Sequence, residues 1–513
     1  MPSDVLVVTP WYPTAERRFY GGFVTGWVNA LRLAGAAPQV LHLDNVPGAA
    51  AMEVTEGTTV GGAPFTHVVV PQPAGASRAD MARVQADALR ELWPQRWSGI
   101  ATVHGHVGMP TGWALATTLP AEVKLVLTEH ASYLNQIFRL PETAAMYAEA
   151  VRRADAVLAV SERMADTLRK AMPEHAGRIG ALGNPVAFDR LPLLGERQPG
   201  LRRWLYLGNL LEAKGVLRVV EAFARAVELP AGGDAMTLTM VGDGAMREPL
   251  MERAEALGVA DKLTIRPGVP PEEVPEIYAA HDLLVHLSSF ETFGMTVVEA
   301  VASGLPTVVT KCGGPEDTVL HASDLGAATL IDVTNDPAPV VDAWRRLAGR
   351  NGTVDWRTVR TLLEHRFAPR QVGSALLEHL GIDADDGNLS VPLSLKVLTL
   401  DEGTARQAAP IAALAADLGL RVSVATLPQG AGLRRQAARL RFGHYPRALA
   451  AAARASVLAE PVDLVVVDQY VGAALVGRSD GLPPVVSMNN RARLWQAIAG
   501  AVARDRTLEM VTQ

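Results

Sequence analysis

The sequence predicts an α/β protein built from doubly wound parallel sheets. Short apolar runs without alternation, such as DVLVVT, VKLVLTE and AVLAVSE, recur along nearly the whole chain. Such runs are typical of strands that are covered on both faces. Amphipathic segments rich in Ala, Leu and Arg separate them, and these are typical of the helices that connect parallel strands. The 513 residues suffice for two or three domains with large cores.

The composition excludes several classes of protein. Hydrophobic residues make up 49% of the chain and charged residues 20%, as in ordinary globular proteins. The formal net charge of −6 gives no general attraction to nucleic acid. With Cys312 as the single cysteine, internal disulfides and cysteine-rich metal sites are excluded. The amino terminus lacks the features of a signal peptide, and no apolar run is long enough to span a bilayer. We therefore expect a cytoplasmic protein with no nucleic-acid partner and at most peripheral membrane contact.

Two breaks in the pattern divide the chain. The segment LPLLGERQPGLRR (191–203) is rich in Gly, Pro and charge, and the strand WLYLGNL follows it. The segment DADDGNLSVPLS (383–394) is unpatterned and is typical of a linker. We predict one domain over 1–195, a second over 196–382 that closes with two helices, and a further α/β unit over 395–513. The apolar runs of the last unit follow the order seen in the first domain. They indicate either a partial repeat of that domain or a chance likeness between short runs.

Two glutamates, Glu291 and Glu299, flank the point where a strand gives way to a helix. The strand DLLVHL ends near Leu287, and the helix is expected to begin near Gly294 and stop at Gly304. Ligands of doubly wound sheets bind at the carboxyl ends of the strands, and free amides at a helix N-terminus can hold a phosphate. A carboxylate on either side of such a phosphate site suits a ligand with hydroxyls at both ends and a diphosphate between them. A sugar nucleotide has this chemistry.

The stretch SSFETFGMTVVEA…SGLPTVVTKCGGPEDTV resembles the E-x7-E signature of the family 4 glycosyltransferases, which are retaining enzymes with the GT-B fold. Four other stretches resemble further motifs of that family in the same order: YGGFV, LTEHAS, YLGNLLEAKGV and MVGDGAMREPL. The resemblance covers about residues 4–382. It implies two Rossmann-like domains that face a cleft, the first holding the acceptor and the second the nucleotide sugar.

The resemblance also implies roles for individual residues. It gives Glu291, His130 and Lys214 to catalysis: Glu291 at the donor sugar's hydroxyls, His130 near the reacting carbon, and Lys214 at the diphosphate. Glu299 would hold the ribose. The residues that it gives to donor binding are Gly21, Gly22, Gly208, Asn209, Lys214, Gly242, Phe293, Gly294, Met295 and Glu299.

The chain departs from the family at Asn209, where an arginine usually contacts the diphosphate. Arg247 and Arg266 are conceivable substitutes, although the sequence does not place either. The loop after the first strand, PWYPTAERRFY, offers side chains that either touch the acceptor or simply lie on the surface: Trp11, Arg17, Arg18 and Tyr20.

No metal and no cofactor is predicted. His104 and His106 have a suitable spacing but lack a third ligand in the sequence, and one of them is an alternative lining residue of the acceptor cleft. The acidic run DADD (383–386) lies in the linker, where solvation explains it. Cys312 is interpreted as a bystander, and the turn at Asn184 as the end of the first domain.

Together these observations predict a retaining, hexosyltransferase-type enzyme with a nucleotide-diphosphate-sugar donor. UDP is favoured because it is frequent in the family. The acceptor is not named by the sequence, so glycan, cell-surface and natural-product glycoside synthesis all stay open, as does oligomerisation. Two alternatives remain: a nucleotide-sugar epimerase on the same fold, and a non-catalytic sugar- or nucleotide-binding protein derived from a transferase. Asn209 favours the latter, whereas the joint presence of Glu291, Glu299, Lys214 and His130 opposes it.

Overall fold

A computed structural model describes residues 5–14, 17, 20–195, 197–233, 235–382, 394–399, 421–426, 464–467, 485–487, 495–496 and 499. The chain forms two compact units. The first comprises Met1–Leu320, Ala328–Gly352 and Phe367–Asp386, and the second His321–Ala327, Thr353–Arg366 and Gly387–Gln513. Among the described residues, no helix combines the length and the apolar character needed to cross a membrane.

The first unit begins with an eight-stranded sheet in the order β3-β4-β2-β1-β5-β6-β7-β8. All its pairs are parallel except β3 with β4. Its strands are β1 (Val5–Thr9), β2 (Pro38–Pro47), β3 (Glu53–Thr58), β4 (Pro64–Gln72), β5 (Thr102–His106), β6 (Lys124–Glu129), β7 (Ala156–Ala159) and β8 (Ile179–Ala181). Its helices are α1 (Gly22–Leu33), α2 (Arg78–Arg96), α3 (Trp113–Thr118), α4 (Leu134–Arg139), α5 (Pro141–Arg153) and α6 (Glu162–Ala171).

The six strands of the second sheet are all parallel, in the order β11-β10-β9-β12-β13-β14. They are β9 (Arg203–Leu207), β10 (Thr237–Val241), β11 (Leu263–Arg266), β12 (Leu283–His286), β13 (Thr307–Thr310) and β14 (Ala328–Ile331). The helices that follow β9 in chain order are α7 (Val216–Val227), α8 (Arg247–Ala256), α9 (Val274–Ala280), α10 (Met295–Ala302), α11 (Gly314–Thr318), α12 (Leu320–Asp324), α13 (Ala338–Gly349), α14 (Trp356–Phe367) and α15 (Pro369–Leu380).

Trp204 of β9 is at the centre of the core beneath the second sheet. The side chain is fully buried, and its ring meets Phe223 of α7 and Trp344 of α13 edge-on at centroid distances of 5.7 and 5.8 Å. Edge-to-face aromatic pairs add about 0.5–1.5 kcal/mol beyond the burial of their area. The aromatic cluster therefore fixes the two helices against the strand from which the loop with Lys214 departs.

The antiparallel hairpin β3–β4 was not among the sequence predictions. Five of the six residues of β3 are exposed, and β3 is the edge strand of its sheet. An edge strand with little burial lacks the continuous apolar run that revealed the other strands. The two predicted closing helices are present as α14 and α15.

The last helix of the first unit returns to the amino-terminal sheet. Helix α15 packs against α1, and a Cβ at Gly373 would overlap the carbonyl oxygen of Ala30. The chain also crosses between the sheets at a neighbouring point, where the Val186 amide donates to the Phe367 carbonyl at 2.8 Å. Residues from both ends of the unit therefore hold its two sheets together.

The second unit contains a four-stranded parallel sheet in the order β16-β15-β17-β18, formed by β15 (Ser394–Thr399), β16 (Arg421–Thr426), β17 (Leu464–Val467) and β18 (Val485–Ser487). The first sheet contains the corresponding order β2-β1-β5-β6. This topology matches a partial repeat of the first domain, and the repeat itself stays a prediction. Strand β15 begins one residue inside the predicted linker. The DADD run and the predicted alanine-rich helix near residue 404 lie outside the described residues.

Trp495 links the carboxyl-terminal part of the second unit to an earlier stretch of the chain. Its side chain is fully buried, and its indole N–H donates to Asp324 Oδ2 at 2.9 Å. Its ring lies 6.1 Å from that of His321.

We expect Gly373→Ala to destabilise the first unit, because the added methyl group would force α15 away from α1. Overpacking of this kind costs about 1–3 kcal/mol. Gly349→Ala is the matched control, since a Cβ there meets nothing within 4 Å. Thermal unfolding followed by tryptophan fluorescence should show a lower midpoint for Gly373→Ala alone. Equal midpoints for the two variants would contradict the close packing.

Candidate active site

Each sheet of the first unit has one point at which successive strands are added on opposite sides. In the first sheet this point lies between β1 and β5, and in the second between β9 and β12. Doubly wound proteins bind ligands at such switch points, beyond the carboxyl ends of the strands. The loops that leave β9 and β12 carry Lys214 and Glu291, so the structure brings these two predicted residues to the place where a ligand is expected.

Gly215 allows the two loops to approach each other. It has a φ of 67° at the start of α7, and a Cβ there would overlap the carbonyl oxygen of Leu287. A backbone hydrogen bond joins the same loops, from the Ser289 amide to the Ala213 carbonyl at 2.8 Å. Lys214 ends the short 3-10 turn just before this glycine. The turn points the lysine across the gap between the loops.

Lys214 and Glu291 form an ion pair. Nζ of Lys214 lies 2.6 Å from Oε1 of Glu291, and Nε2 of His286 lies 2.9 Å from the same oxygen. Burial raises the pKa of Glu291, but the hydrogen bond and charge of His286, followed by those of Lys214, outweigh burial and lower the pKa to about 2. Glu291 is therefore ionised at every physiological pH and ready to accept hydrogen bonds.

His286 is a site residue that the sequence analysis did not single out. It is the last residue of β12, and its ring lies parallel to that of Tyr206 at a centroid distance of 6.0 Å. The Tyr206 hydroxyl in turn donates to the carbonyl of Asn209 at 2.8 Å. The spacing of five residues between His286 and Glu291 was the available signal, but a lone histidine inside an apolar strand is usually structural.

The backbone of Glu291 is held by the loop after β13. Its amide donates to the carbonyl of Cys312 at 3.0 Å, and its carbonyl accepts from the Gly314 amide at 2.8 Å. Gly313 has a φ of 121°, and a side chain there would press on the Glu291 carbonyl. Burial raises the pKa of the Cys312 thiol to about 12, so this thiol stays protonated and the bystander interpretation stands.

Helix α10 begins beside Glu291, at the position that the sequence predicted. Gly294 has a φ of 87° and precedes the first helical residue, Met295. Among the described residues, no acceptor receives the amides of Phe293, Gly294 and Met295. The Phe293 ring is buried against Phe367, so this residue can offer a ligand only its backbone. Free amides and the helix dipole favour an anion at such a position, so binding of the donor diphosphate here stays a prediction.

Glu299 lies on α10, just over one helical turn after the amides of Phe293, Gly294 and Met295. The Tyr278 hydroxyl donates to its Oε2 at 3.2 Å. Burial raises the pKa of Glu299 to about 7, and the hydrogen bond from Tyr278 opposes this only partly. The two glutamates therefore differ in charge state: Glu291 is always ionised, whereas Glu299 titrates near neutral pH.

Arg218 is a second cation at these loops, and it is neither of the arginines proposed as substitutes at Asn209. Its guanidinium donates to the Leu287 carbonyl at 2.6 Å and to Ser289 Oγ at 2.7 Å. The Arg247 guanidinium instead donates to the carbonyl of Ile265, and Arg266 is exposed at the end of β11. Asn209 itself is exposed. Arg218 is the third residue of α7. Arginines are common on the polar face of an amphipathic helix, so the sequence gives no sign that this one lies at the site.

Of the five predicted glycines, the four besides Gly294 differ in the contact that requires a glycine. A Cβ at Gly21 would meet the Trp11 backbone, and a Cβ at Gly242 would overlap the carbonyl of Gly208, so protein packing explains both. At Gly208 the nearest atom would be the Tyr206 hydroxyl, 3.3 Å away. Gly22 is exposed at the start of α1, and a side chain there would meet nothing within 4 Å. The room at Gly22 is what an approaching ligand needs.

His130 follows β6 and belongs to a buried group of three histidines. Its Nε2 lies 2.8 Å from Nδ1 of His106, and the rings of His104 and His106 are 4.4 Å apart. Burial lowers the pKa of all three, to about 3 for His104 and His130. Phe23 of α1 contacts the His130 ring at 4.7 Å. His130 is therefore neutral and close to the first turn of α1, and its contact with a donor sugar stays a prediction.

The loop after β1 carries the side chains predicted for the acceptor. Arg17 pairs with Asp44 of β2, and its guanidinium carbon lies 4.6 Å from the centre of the Tyr20 ring. Trp11 packs edge-on against Phe23 at 6.0 Å. Arg18 lies outside the described residues. The loop is thus tied to its own sheet, and its contact with an acceptor stays a prediction.

Two family models match the chain. The model described as Glycosyltransferase Family 4 matches residues 21–190, and the model described as Glycosyl transferases group 1 matches residues 196–348. The chain belongs to the family 4 glycosyltransferases. The boundary between the two matches falls in the segment where the sequence predicted the division between its first two domains.

Relatives of this glycosyltransferase include 2-deoxystreptamine N-acetyl-D-glucosaminyltransferase of Streptomyces fradiae, which is 28% identical over 316 residues. That alignment covers 56% of this chain and 70% of the relative. The 2-deoxystreptamine glucosyltransferase of Streptomyces kanamyceticus is 29% identical over 301 residues, or 52% and 75% of the two chains.

The solved structure of sucrose-phosphate synthase from Thermosynechococcus elongatus superposes with a TM-score of 0.55 at 16% identity, over 73% of this chain and 98% of that one. The glycosyltransferase therefore has the GT-B fold, as predicted.

We expect Gly215→Ala to weaken nucleotide binding as well as stability, because the new Cβ would push the Lys214 turn away from Leu287. Gly258→Ala is the matched control: its φ of 68° is nearly the same, but a Cβ there meets nothing within 4 Å. Both variants carry the cost of a left-handed residue, about 1–2 kcal/mol. Only Gly215→Ala adds the overlap.

The measurement is calorimetric titration with nucleoside diphosphates, alongside thermal unfolding. Normal binding by Gly215→Ala would show that the close approach of the loops does not organise the site.

Proposed function

We propose that this protein is a retaining glycosyltransferase of the hexosyltransferase type, which moves a sugar from a nucleotide-diphosphate-sugar donor to an acceptor. UDP is the favoured nucleotide. One observation carries the proposal: the Lys214 ammonium and the Glu291 carboxylate lie side by side at the switch point of the second sheet, next to the unfilled amides that begin α10. This arrangement offers a cation, hydroxyl acceptors and anion-binding amides within one site.

In this proposal the donor separates the ion pair, because its diphosphate binds Lys214 and its sugar binds Glu291. The donor diphosphate takes the Lys214 ammonium and the amides of Gly294 and Met295, and the sugar hydroxyls donate to the Glu291 carboxylate that Lys214 leaves. Each charge-assisted hydrogen bond is worth roughly 1.5–3 kcal/mol. His286 keeps its bond to Glu291, so the carboxylate stays oriented during the exchange. The ribose hydroxyls donate to Glu299.

The transfer step breaks the bond between the sugar's anomeric carbon and the diphosphate oxygen, and forms the bond to the acceptor oxygen on the same face. The leaving phosphate oxygen takes the acceptor's proton. This route suits a site in which His106 and His130 are buried and neutral, because burial strongly lowers their pKa values. Lys214 and the α10 amides stabilise the charge that develops on the leaving group. On this account the donor step needs neither a metal nor another cofactor, and the protein works in the cytoplasm.

The relatives suggest where an acceptor search should begin. Two of them are named for 2-deoxystreptamine, an aminocyclitol. A panel that pairs UDP-sugars with 2-deoxystreptamine and with simple sugar acceptors would test the proposed activity directly. Formation of a glycoside with the donor's own anomeric configuration supports it. A protein that binds UDP tightly yet neither transfers sugar to any acceptor nor slowly hydrolyses the donor fits the non-catalytic alternative instead.

We expect Glu291→Gln to keep nucleoside diphosphate binding while sugar transfer falls roughly 10²–10³-fold, the usual loss when a preorganised charge is removed. The reason is that Glu291 contacts the sugar and not the nucleotide. Transfer is measured by product formation and binding by calorimetry.

Glu255→Gln, an exposed substitution on α8, is the matched control and should retain full activity. Near-normal transfer by Glu291→Gln would remove this residue from the donor site.

We also expect UDP affinity to rise with pH through about 7. Ribose hydroxyls donate to the ionised form of Glu299, whereas burial keeps this group protonated below its pKa of about 7. Binding therefore expels a proton at lower pH, and one proton corresponds to about tenfold in affinity between pH 6 and pH 8.

Glu299→Gln removes the titrating group and leaves the ionisation of UDP itself unchanged, so it isolates the contribution of Glu299. Calorimetry across this pH range is the measurement. Identical pH profiles for the two proteins would contradict the ribose role.

A further inference from the structure

Three side chains of the first sheet converge away from the proposed donor site. His42 and Asp44 are two residues apart on β2, and His67 is the register partner of His42 on β4. One ligand atom from each lies within 4.8 Å of the others. His42 and Asp44 are buried and His67 is partly buried. No other group of three His, Cys, Asp or Glu side chains in the described part of the chain is as close.

The distances in this group suit a metal ion. Oδ2 of Asp44 and Nε2 of His67 are 3.2 Å apart. Two neighbouring ligands that each sit about 2.0–2.1 Å from a tetrahedral ion are separated by about 3.3 Å. The rings of His42 and His67 stack at 4.8 Å, within 16° of parallel.

His42 already has the protonation and the outer partner of a metal ligand. Its Nε2 lies 3.3 Å from the Pro10 carbonyl, which can only accept, so Nε2 carries the proton. Its Nδ1 is buried and has no hydrogen-bond partner among the described residues. Histidine ligands usually donate their second N–H to a carbonyl in this way.

Arg17 occupies the position that a cation would take. Its guanidinium pairs with Oδ2 of Asp44, the same oxygen that lies near His67. The Asp44 side chain is only 4% exposed, whereas the Arg17 side chain is 43% exposed and can swing into solvent. A buried carboxylate needs a positive partner. A divalent ion can replace the arginine without leaving that carboxylate unpaired.

We propose that His42, Asp44 and His67 bind a divalent first-row transition-metal ion, with Zn²⁺ preferred, in competition with Arg17. Two imidazoles and one carboxylate suit Zn²⁺, whereas Mg²⁺ and Ca²⁺ prefer sites made of oxygen alone. Three protein ligands leave the fourth tetrahedral position open to water or to another ligand. His42 is level with Thr9, where the loop with Arg17 leaves β1. Occupancy therefore releases Arg17 from the sheet, and the site is separate from the residues proposed for sugar transfer.

The test is a Zn²⁺ titration of the full-length, metal-stripped protein against a chromophoric chelator. The wild type should bind one equivalent. His67→Ala and Asp44→Asn should weaken binding by more than the roughly 10- to 100-fold that loss of an outer partner costs. Arg17→Gln should bind Zn²⁺ more tightly than the wild type, because its competitor is gone. His175→Ala, which removes a histidine outside the group, should bind as the wild type does.

Two results would overturn the proposal: no saturable Zn²⁺ binding by the wild type and Arg17→Gln, or binding that His67→Ala leaves unchanged. If Arg17→Gln does not bind Zn²⁺ more tightly than the wild type, Arg17 does not compete with the metal ion. Should His67→Ala fail to fold by circular dichroism, Co²⁺ bound to the wild-type protein decides. Visible absorption bands of a four-coordinate nitrogen and oxygen site, lost on addition of Zn²⁺, support the assignment, and their absence rejects it.

Discussion

The approach of the Gly215 turn to the Leu287 carbonyl is the constraint on which the rest of the candidate active site depends. Topology alone brings β9 and β12 side by side, because the second sheet adds strands on both sides of β9. Adjacent strands do not by themselves bring their loops into contact. The absence of a side chain at Gly215 lets the loops meet, so that Lys214 reaches Glu291 at 2.6 Å. The ion pair follows from a backbone contact, and the charge state of Glu291 follows from the ion pair together with His286.

The Glu291 side chain is only 13% exposed. Burying its carboxylate without Lys214 and His286 would lower the stability of the fold. The partners are Lys214, in the turn before α7, and His286, the last residue of β12. The loop after β13 holds the Glu291 backbone. Arg218 of α7 also contacts the loop after β12, through the Leu287 carbonyl and Ser289 Oγ. Its position shows that positive charge near the loops does not have to come from the residue after Gly208, where this chain has Asn209.

Much of this could be predicted from sequence. The buried parallel strands announced themselves as continuous apolar runs, and glycine marked the start of α10 at Gly294. Strand β3 gave no such signal, since an edge strand that buries almost nothing needs no apolar pattern. The sequence analysis did not single out His286, Arg218 or Tyr278. Their importance depends on which loops become neighbours in the fold, and spacing along the chain does not show that. The glycines show the reverse difficulty. Gly21 and Gly242 resemble ligand-binding residues in sequence, yet packing explains them both. His42, Asp44 and His67 lie on two strands whose register is needed before they form a group.

The contact between Val186 and Phe367 has a consequence for the start of α10. Val186 lies between β8 and β9, where the chain passes from the first sheet to the second, and its amide donates to the Phe367 carbonyl at 2.8 Å. The Phe367 ring in turn packs against the Phe293 ring at a centroid distance of 5.1 Å. The amides that begin α10 are thereby anchored to the connection between the two sheets, so a displacement of that connection would be passed on to the position proposed for the donor phosphate.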